Sequence, residues 1–280
     1  MSIKIIQEEQ LKDPILLISF KGWSDAGFAA SNTFKYLIKQ MGAKKIAVID
    51  SEKFVDYSQN RPSVLMRNNK RFIKWPDSAF YSIKNQNNKN DLIIFLGYEP
   101  NFMWNNFNDI LQEFCEKNKI VAAISIGSLL AETSHTADIK LTGNSSHKNL
   151  TQELEFPYTS MNTYEGPTGM LGVFTNNLIN KGIPHGAIWA NIPYYLNSIT
   201  NPKASQAILQ SLIDLLNINC DMNDIGQLAS KFDAYVESLL KDHPDISLIN
   251  NKLKELENLP DSDDIISNLD DYYTDYFNKN

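Results

Sequence analysis

An apolar run over residues 15–20 ends directly in Lys21-Gly22-Trp23-Ser24-Asp25-Ala26-Gly27, and an apolar stripe at helical spacing begins immediately behind it. That order predicts a buried strand, a tight turn with two glycines, and a helix over 28–41 with Ala30, Phe34, Leu37, Ile38 and Met41 on one face. In α/β folds such a junction lies at the carboxyl end of a strand, where ligands and partners are met. Glycine there permits positive φ and close backbone approach. Asp25 or Ser24 is suited to cap the helix by accepting its first N–H groups. Neither the dinucleotide fingerprint nor the Walker spacing is present, so the two glycines alone do not describe a phosphate cradle.

The rest of the chain alternates in the same way. Apolar runs at 46–49, 92–96, 120–126 and 187–190 read as strands, and 102–116, 168–180 and 203–216 read as helices. Pro167 suits the first turn of the helix over 168–180. Segments 64–66 and 71–73 flank Asn68-Asn69, residues that tolerate the positive φ of a hairpin turn. Short apolar strands between helices of this length imply a parallel or mixed sheet covered on both faces. Beyond Cys220 the strand signal stops. Ile225, Leu228, Ala229, Phe232, Val236 and Leu239 outline one amphipathic helix, Ile249, Leu253 and Leu256 a second, and Ile266, Leu269, Tyr273 and Tyr276 a third, with Pro244 and Pro260 between them. The expectation is an α/β domain over 1–220 and an acidic helical appendage over 221–280.

Further short motifs follow the first in fixed order: Phe54-Val55-Asp56-Tyr57 with Asn60-Arg61-Pro62, then Trp75-Pro76, Gly97-Tyr98-Glu99-Pro100, Ser134-His135-Thr136, Tyr164-Glu165-Gly166-Pro167 and Pro193-Tyr194-Tyr195. Together with the glycine turn they resemble the PAC2 family, the proteasome assembly chaperone 2-like proteins. The resemblance implies a phosphorylase/hydrolase-like α/β core, a homo-oligomer with a trimer as the first expectation, and protein partners. It also implies docking on a proteasome ring through a carboxyl-terminal hydrophobic-Tyr-any-residue ending. This chain instead ends Tyr276-Phe277-Asn278-Lys279-Asn280, with lysine at the penultimate position.

Charge is divided unevenly. Residues 221–280 hold 14 acidic and 5 basic residues, a balance of 5 − 14 = −9, which leaves +2 for the first 220. Nucleic acid as a partner of that segment is excluded, because phosphate neutralisation needs clustered Lys and Arg. A solvated acidic surface or a contact with a basic partner surface are the two readings left. No apolar run approaches the roughly 18 residues that span a bilayer, and Met1-Ser2-Ile3-Lys4 is not followed by a signal-peptide core. With two cysteines, Cys115 and Cys220, and no disulfide framework, a cytoplasmic protein is expected.

The acid/base candidates are His135, Glu165 and Asp25, with Glu99 at a third turn; a histidine near a carboxylate is poised for proton transfer. All four fall in loops that follow strands or precede helices, so one rim could gather them. The binding rim read from the sequence comprises Gly22, Trp23, Asp25, Gly27, Gly97, Glu99, His135, Thr136, Glu165, Gly166 and Tyr194. No metal-ligand spacing, cofactor motif, Gly-x-Ser-x-Gly elbow or Cys/His signature accompanies them. Ser125-Ile126-Gly127-Ser128 reads as part of the loop rim. A protein-binding scaffold is the first functional reading; an enzyme or small-molecule binder built on His135 and Glu165 is the alternative.

Overall fold

The computed structural model describes residues 3–86, 89–146, 164–241 and 244–257. Eight strands form one mixed sheet: β1 (Ile3–Ile5), β2 (Ile15–Lys21), β3 (Lys44–Ile49), β6 (Ser78–Ile83), β7 (Leu92–Tyr98), β8 (Ala122–Ala131), β9 (Leu141–Ser145) and β10 (His185–Pro193), ordered β1-β3-β6-β7-β2-β8-β10-β9. The central strands β7, β2, β8 and β10 are mutually parallel, and β6, β3, β1 and β9 add antiparallel edges. β4 (Ser63–Arg67) and β5 (Lys70–Lys74) form a separate two-stranded hairpin.

The near-continuous apolar runs of the central strands follow from burial on both faces. Ile15 and Leu17 of β2 face one core, with Ile94, Ile124 and Ile188 of the neighbouring strands. Leu16, Ile18 and Phe20 face the other, with Ile93, Phe95 and Ala123. The first core is covered by α1 (Ala29–Gln40) and the second by α2 (Trp104–Lys117) and α3 (Met170–Asn180). The first core is also covered by α4 (Pro202–Leu216), α5 (Asn223–Ser230) and α6 (Phe232–Leu240). Ile225, Phe232, Val236 and Leu240 join that core, so the first two helices after Cys220 pack on the sheet domain itself. α7 (Pro244–Glu257) follows.

Several expectations change in detail. The helix read through 225–239 is broken at Lys231, where the N–H turns to Leu228 O (3.3 Å) in a tighter winding. β8 does not stop near Gly127 but runs through Ser128 to Ala131, because β10 pairs with it residue by residue to Pro193. Ser125-Ile126-Gly127-Ser128 is therefore buried strand, not loop rim. β6, β9 and β1 carry no strong apolar pattern and were not legible as strands. The two-residue Asn68-Asn69 turn has φ of 49° and 59°, the geometry expected of that hairpin. The third tail helix expected from Ile266, Leu269, Tyr273 and Tyr276 falls outside the described residues.

Candidate functional site

Parallel strands point their carboxyl ends to one edge of the sheet, and the predicted rim residues are distributed along that edge. The glycine turn is its centre. Gly22 (φ 139°) and Gly27 (φ 60°) both occupy backbone conformations that side chains resist. The turn is tied to β8 by Ser128 N–H donating to Ser24 O (2.9 Å) and Ser128 Oγ–H to Ala26 O (2.7 Å). It is tied to the far side of the rim by Gly27 N–H donating to Asn197 O and Asn201 N–H to Gly27 O, both 2.9 Å. A Cβ at Gly27 would approach Asn201 and Ile192 to 3.2 Å, so the turn tolerates no bulk.

Asp25 is buried and caps α1: its Oδ1 accepts the Ser31 N–H at 3.0 Å, while Oδ2 has no hydrogen-bond partner. Ser24, the other candidate cap, does not serve. Loss of water pushes the Asp25 carboxyl up to about 6, against the hydrogen bond from Ser31 and the charges of Lys35 and Lys21. Lys21 lies with its ammonium 4.3 Å from the Tyr98 ring centre. Burial, with repulsion from Lys35, brings it down to about 8.

Glu99 closes the rim on the other side. Its Oε1 accepts the Met170 N–H at 2.8 Å and its Oε2 accepts the Trp23 N–H at 3.3 Å. A carboxylate from the end of β7 thus caps α3, at the helix end where the dipole favours an anion. That cap displaces the predicted start: α3 begins at Met170, three residues after Pro167, with Gly169 as its N-cap residue. A Cβ on Gly169 would come within 2.5 Å of Glu99 Oε1, a constraint the sequence does not announce. Gly97 is buried inside β7, where a Cβ would collide with Ser78.

His135 belongs to a different network. Its N–H donates to Tyr195 Oη (2.9 Å), and its Nδ1 lies 3.0 Å from the same oxygen. Tyr195 donates its hydroxyl hydrogen to Asn250 Oδ1 (2.8 Å). Nε2 faces Glu237 Oε1 at 3.3 Å, a contact that becomes an ion pair only when the ring is protonated. Burial lowers the His135 pKa against the opposing pull of Glu237. The His135 carbonyl accepts from Lys203 Nζ (2.9 Å), which also binds Asp233. Through these bonds the loop after β8 holds α4, α6 and α7 together.

Asp25 and His135 therefore have separate partners. Among the described residues no hydrogen bond or ion pair joins any two of Asp25, His135 and Glu165, and Glu165 and Gly166 are exposed. Thr136 bonds within its own loop to Ser134 (2.9 Å), and Tyr194 stacks edge-on against Tyr195. His185, which the sequence left without a role, is a core residue: Nε2 lies 2.9 Å from Ser125 Oγ and burial brings its pKa down to about 4. Cys115 is buried in the second core, which pushes its thiol up to about 12, and carries no nucleophile character. Among the described residues no group of three or more His, Cys, Asp or Glu is placed to hold a metal ion. None of their helices is long and apolar enough to cross a membrane.

What the rim does present is apolar surface. Trp23 is 63% exposed, Phe28 44%, Phe102 53%, Met103 49% and Tyr164 63%. Phe28 and Met103 each stand one residue before a helix in the left-handed region (φ 53° and 55°), an unfavourable conformation for bulky side chains. Sequence reasoning missed both, because nothing local marks an apolar residue as a left-handed cap.

The sequence model of the PAC2 family matches residues 19–240. No curated protein matches the chain. A PAC2 family protein from Streptomyces avermitilis is 29% identical with a TM-score of 0.72, covering 81% of this chain and 96% of its own. A proteasome-assembly chaperone homologue from Mycobacterium tuberculosis is 29% identical with a TM-score of 0.69, covering 80% and 94%. The fold is also that of an archaeal proteasome activator from Pyrococcus furiosus, at 18% identity and a TM-score of 0.69 over 85% of this chain and 97% of the other.

Proposed function

The chain belongs to the PAC2 family, and on that premise we propose that it is a non-enzymatic protein-binding scaffold of the assembly-chaperone kind, acting as a homo-oligomer through the carboxyl-edge rim. The observation that carries this reading is the set of exposed apolar side chains at the rim, two of them on strained left-handed backbone. Clustered exposed apolar groups mark protein contact surfaces, and aromatic residues with methionine are enriched at such interfaces. That no hydrogen bond or ion pair joins Asp25, His135 and Glu165 among the described residues supports it from the other side, since acid/base chemistry works through groups acting together on one reacting atom. The remaining rim residues, Gly22, Gly27, Gly97, Glu99, Thr136, Gly166 and Tyr194, then shape and brace the contact face. Residues 221–280 are an acidic appendage to the 1–220 domain, and the assembly is a trimer. The names borne by the mycobacterial protein, a proteasome-assembly chaperone homologue, and by the archaeal one, a proteasome activator, supply the partner class, proteasome proteins.

The test compares the tagged full chain with a Trp23→Ala/Phe102→Ala/Met103→Ala variant in a native-lysate pull-down read by quantitative mass spectrometry. A defined set of proteins retained by the first and lost by the second, at unchanged melting temperature, is the expected result. Equal retention by both overturns the rim reading. Light scattering at micromolar concentration is expected to show more than one protomer, and a monomer of 31.8 kDa would end the oligomer proposal.

A further inference from the structure

The β4–β5 hairpin is a basic, apolar arm standing off the main sheet. Between Arg61 and Trp75 it carries Arg61, Arg67, Lys70, Arg71 and Lys74 and no acidic residue, a net charge of 5 − 0 = +5. Val64, Met66, Phe72, Ile73 and Trp75 are 47–65% exposed on it. Val64 pairs with Ile73 and Leu65 with Phe72, so the apolar residues occupy both faces of a two-stranded ribbon. A hairpin with neither face covered is marginal in water, and its outer edges offer unpaired backbone groups. None of Arg61, Lys70, Arg71 and Lys74 forms an ion pair among the described residues. At the base of the arm the positive charges accumulate: Lys74 lowers the pKa of both Lys21 and Lys35.

The complementary chemistry lies in the same chain. Residues 258–280 carry Asp261, Asp263, Asp264, Asp270, Asp271 and Asp275 against Lys279, a net charge of 1 − 6 = −5. Ile265, Ile266, Leu269, Tyr272, Tyr273, Tyr276 and Phe277 are interleaved with them. The segment starts from a suitable place. α7 is anchored at the carboxyl edge of the sheet, with Asn250 Oδ1 accepting from Ser134 Oγ and Tyr195 Oη, both 2.8 Å. The hairpin leaves the same edge, between the end of β3 and the start of β6. From β3 to β10 the sheet is five strand spacings wide, about 24 Å. Twenty-three residues (258–280) reach up to about 75 Å when extended.

We propose that residues 258–280 dock in cis on the β4–β5 arm, their aspartates on its basic side chains and their aromatic and aliphatic groups on its exposed apolar faces. The contact neutralises +5 with −5 and covers apolar surface on both sides. It is independent of the rim reading, since neither Trp23 nor Phe102 takes part.

A zero-length carbodiimide cross-link between lysine and carboxylate, mapped by mass spectrometry on the full chain, tests it. Lys70 or Lys74 is expected to join aspartates of 258–280, with Lys45–Asp77 (2.7 Å) and Lys203–Asp233 (2.9 Å) as internal standards. Mixing isotopically heavy and light chains separates the occupants: the tail pairs are expected within one isotope only. Arg71→Glu should lower their yield about tenfold, the effect of a lost attraction plus a new repulsion. Asp263→Asn/Asp264→Asn, which leaves the hairpin untouched, should weaken them in the same direction while the internal standards hold. Mixed-isotope pairs would assign the arm to a second copy and overturn docking in cis. Standards without hairpin–tail pairs, or tail pairs indifferent to both variants, would overturn the contact altogether.

Discussion

Asp25→Asn should make this protein more stable at pH 8 and less stable near pH 4. The reasoning starts from the native carboxyl, raised from 3.8 to about 6 by burial. Between those values the folded chain binds a proton that the unfolded chain releases, so Asp25 contributes stability only at low pH. That contribution is lost as pH rises through about 6. The shift is about two pH units, and at 1.36 kcal/mol per unit it amounts to about 3 kcal/mol against the native fold at pH 8. Asparagine keeps an oxygen for the Ser31 N–H but places an amide N–H₂ where Oδ2 has no partner, which costs about 1 kcal/mol at every pH. The net expectation is a gain of about 2 kcal/mol at pH 8 and a loss of about 1 kcal/mol near pH 4. At about 0.6 kcal/mol per degree for a chain of this length, the difference between variant and wild-type melting temperatures should change by about 5 °C across that range. Paired calorimetric melts measure it, and the titration of His185, common to both chains, cancels. Melting curves that stay parallel from pH 4 to pH 8 would refute the buried-carboxylate argument.

Gly22→Val and Gly27→Val should each lower stability by about 2 kcal/mol or more, through positive φ and the contacts at 3.0 Å with Glu99 and 3.2 Å with Ile192; wild-type melts with lost partner binding would instead make the turn a contact element. Glu99→Ala removes a helix cap and a tie to Trp23, so a loss of about 2 kcal/mol in denaturant unfolding is expected, with Glu99→Gln in between. His135→Ala should lower stability by about 1–3 kcal/mol, because the Tyr195 hydroxyl loses a ring partner and Glu237 of α6 loses the group it faces. A His135-dependent turnover of a metabolite at unchanged stability would sink the scaffold reading.

The parts of this fold that depend on one segment's own pattern were readable from its residues. β2, β7 and β10 announce themselves as apolar runs, and Asn68-Asn69 announces the hairpin. What was not readable depends on partners far along the chain. α3 starts where Glu99 caps it, 71 residues earlier, which no local signal encodes. β6 is recruited by β3 and β7 in spite of its serines, and β8 runs on through Gly127 because β10 accompanies it and the Trp189 ring occupies the space a Cβ would need. The candidate site shows the same division. Asp25 as a helix cap followed from its position, whereas His135 acquired its role from Tyr195, Glu237 and Asn250, none of which its own loop reveals.

The clasp around Glu99 also sets how this chain can drift in sequence. Gly169 has an ordinary extended backbone (φ −88°), and a Cβ there would meet Glu99 Oε1 at 2.5 Å before Trp23 at 3.2 Å and Ser24 at 3.3 Å, so a shorter residue at 99 removes its severest clash. Gly22 is held by the same side chain and, separately, by φ of 139°, so shortening residue 99 leaves it fixed. Lineages that keep the carboxylate should therefore hold glycine at both sites, and those that give it up should relax the second glycine, as far as Trp23 and Ser24 give way, while retaining the first.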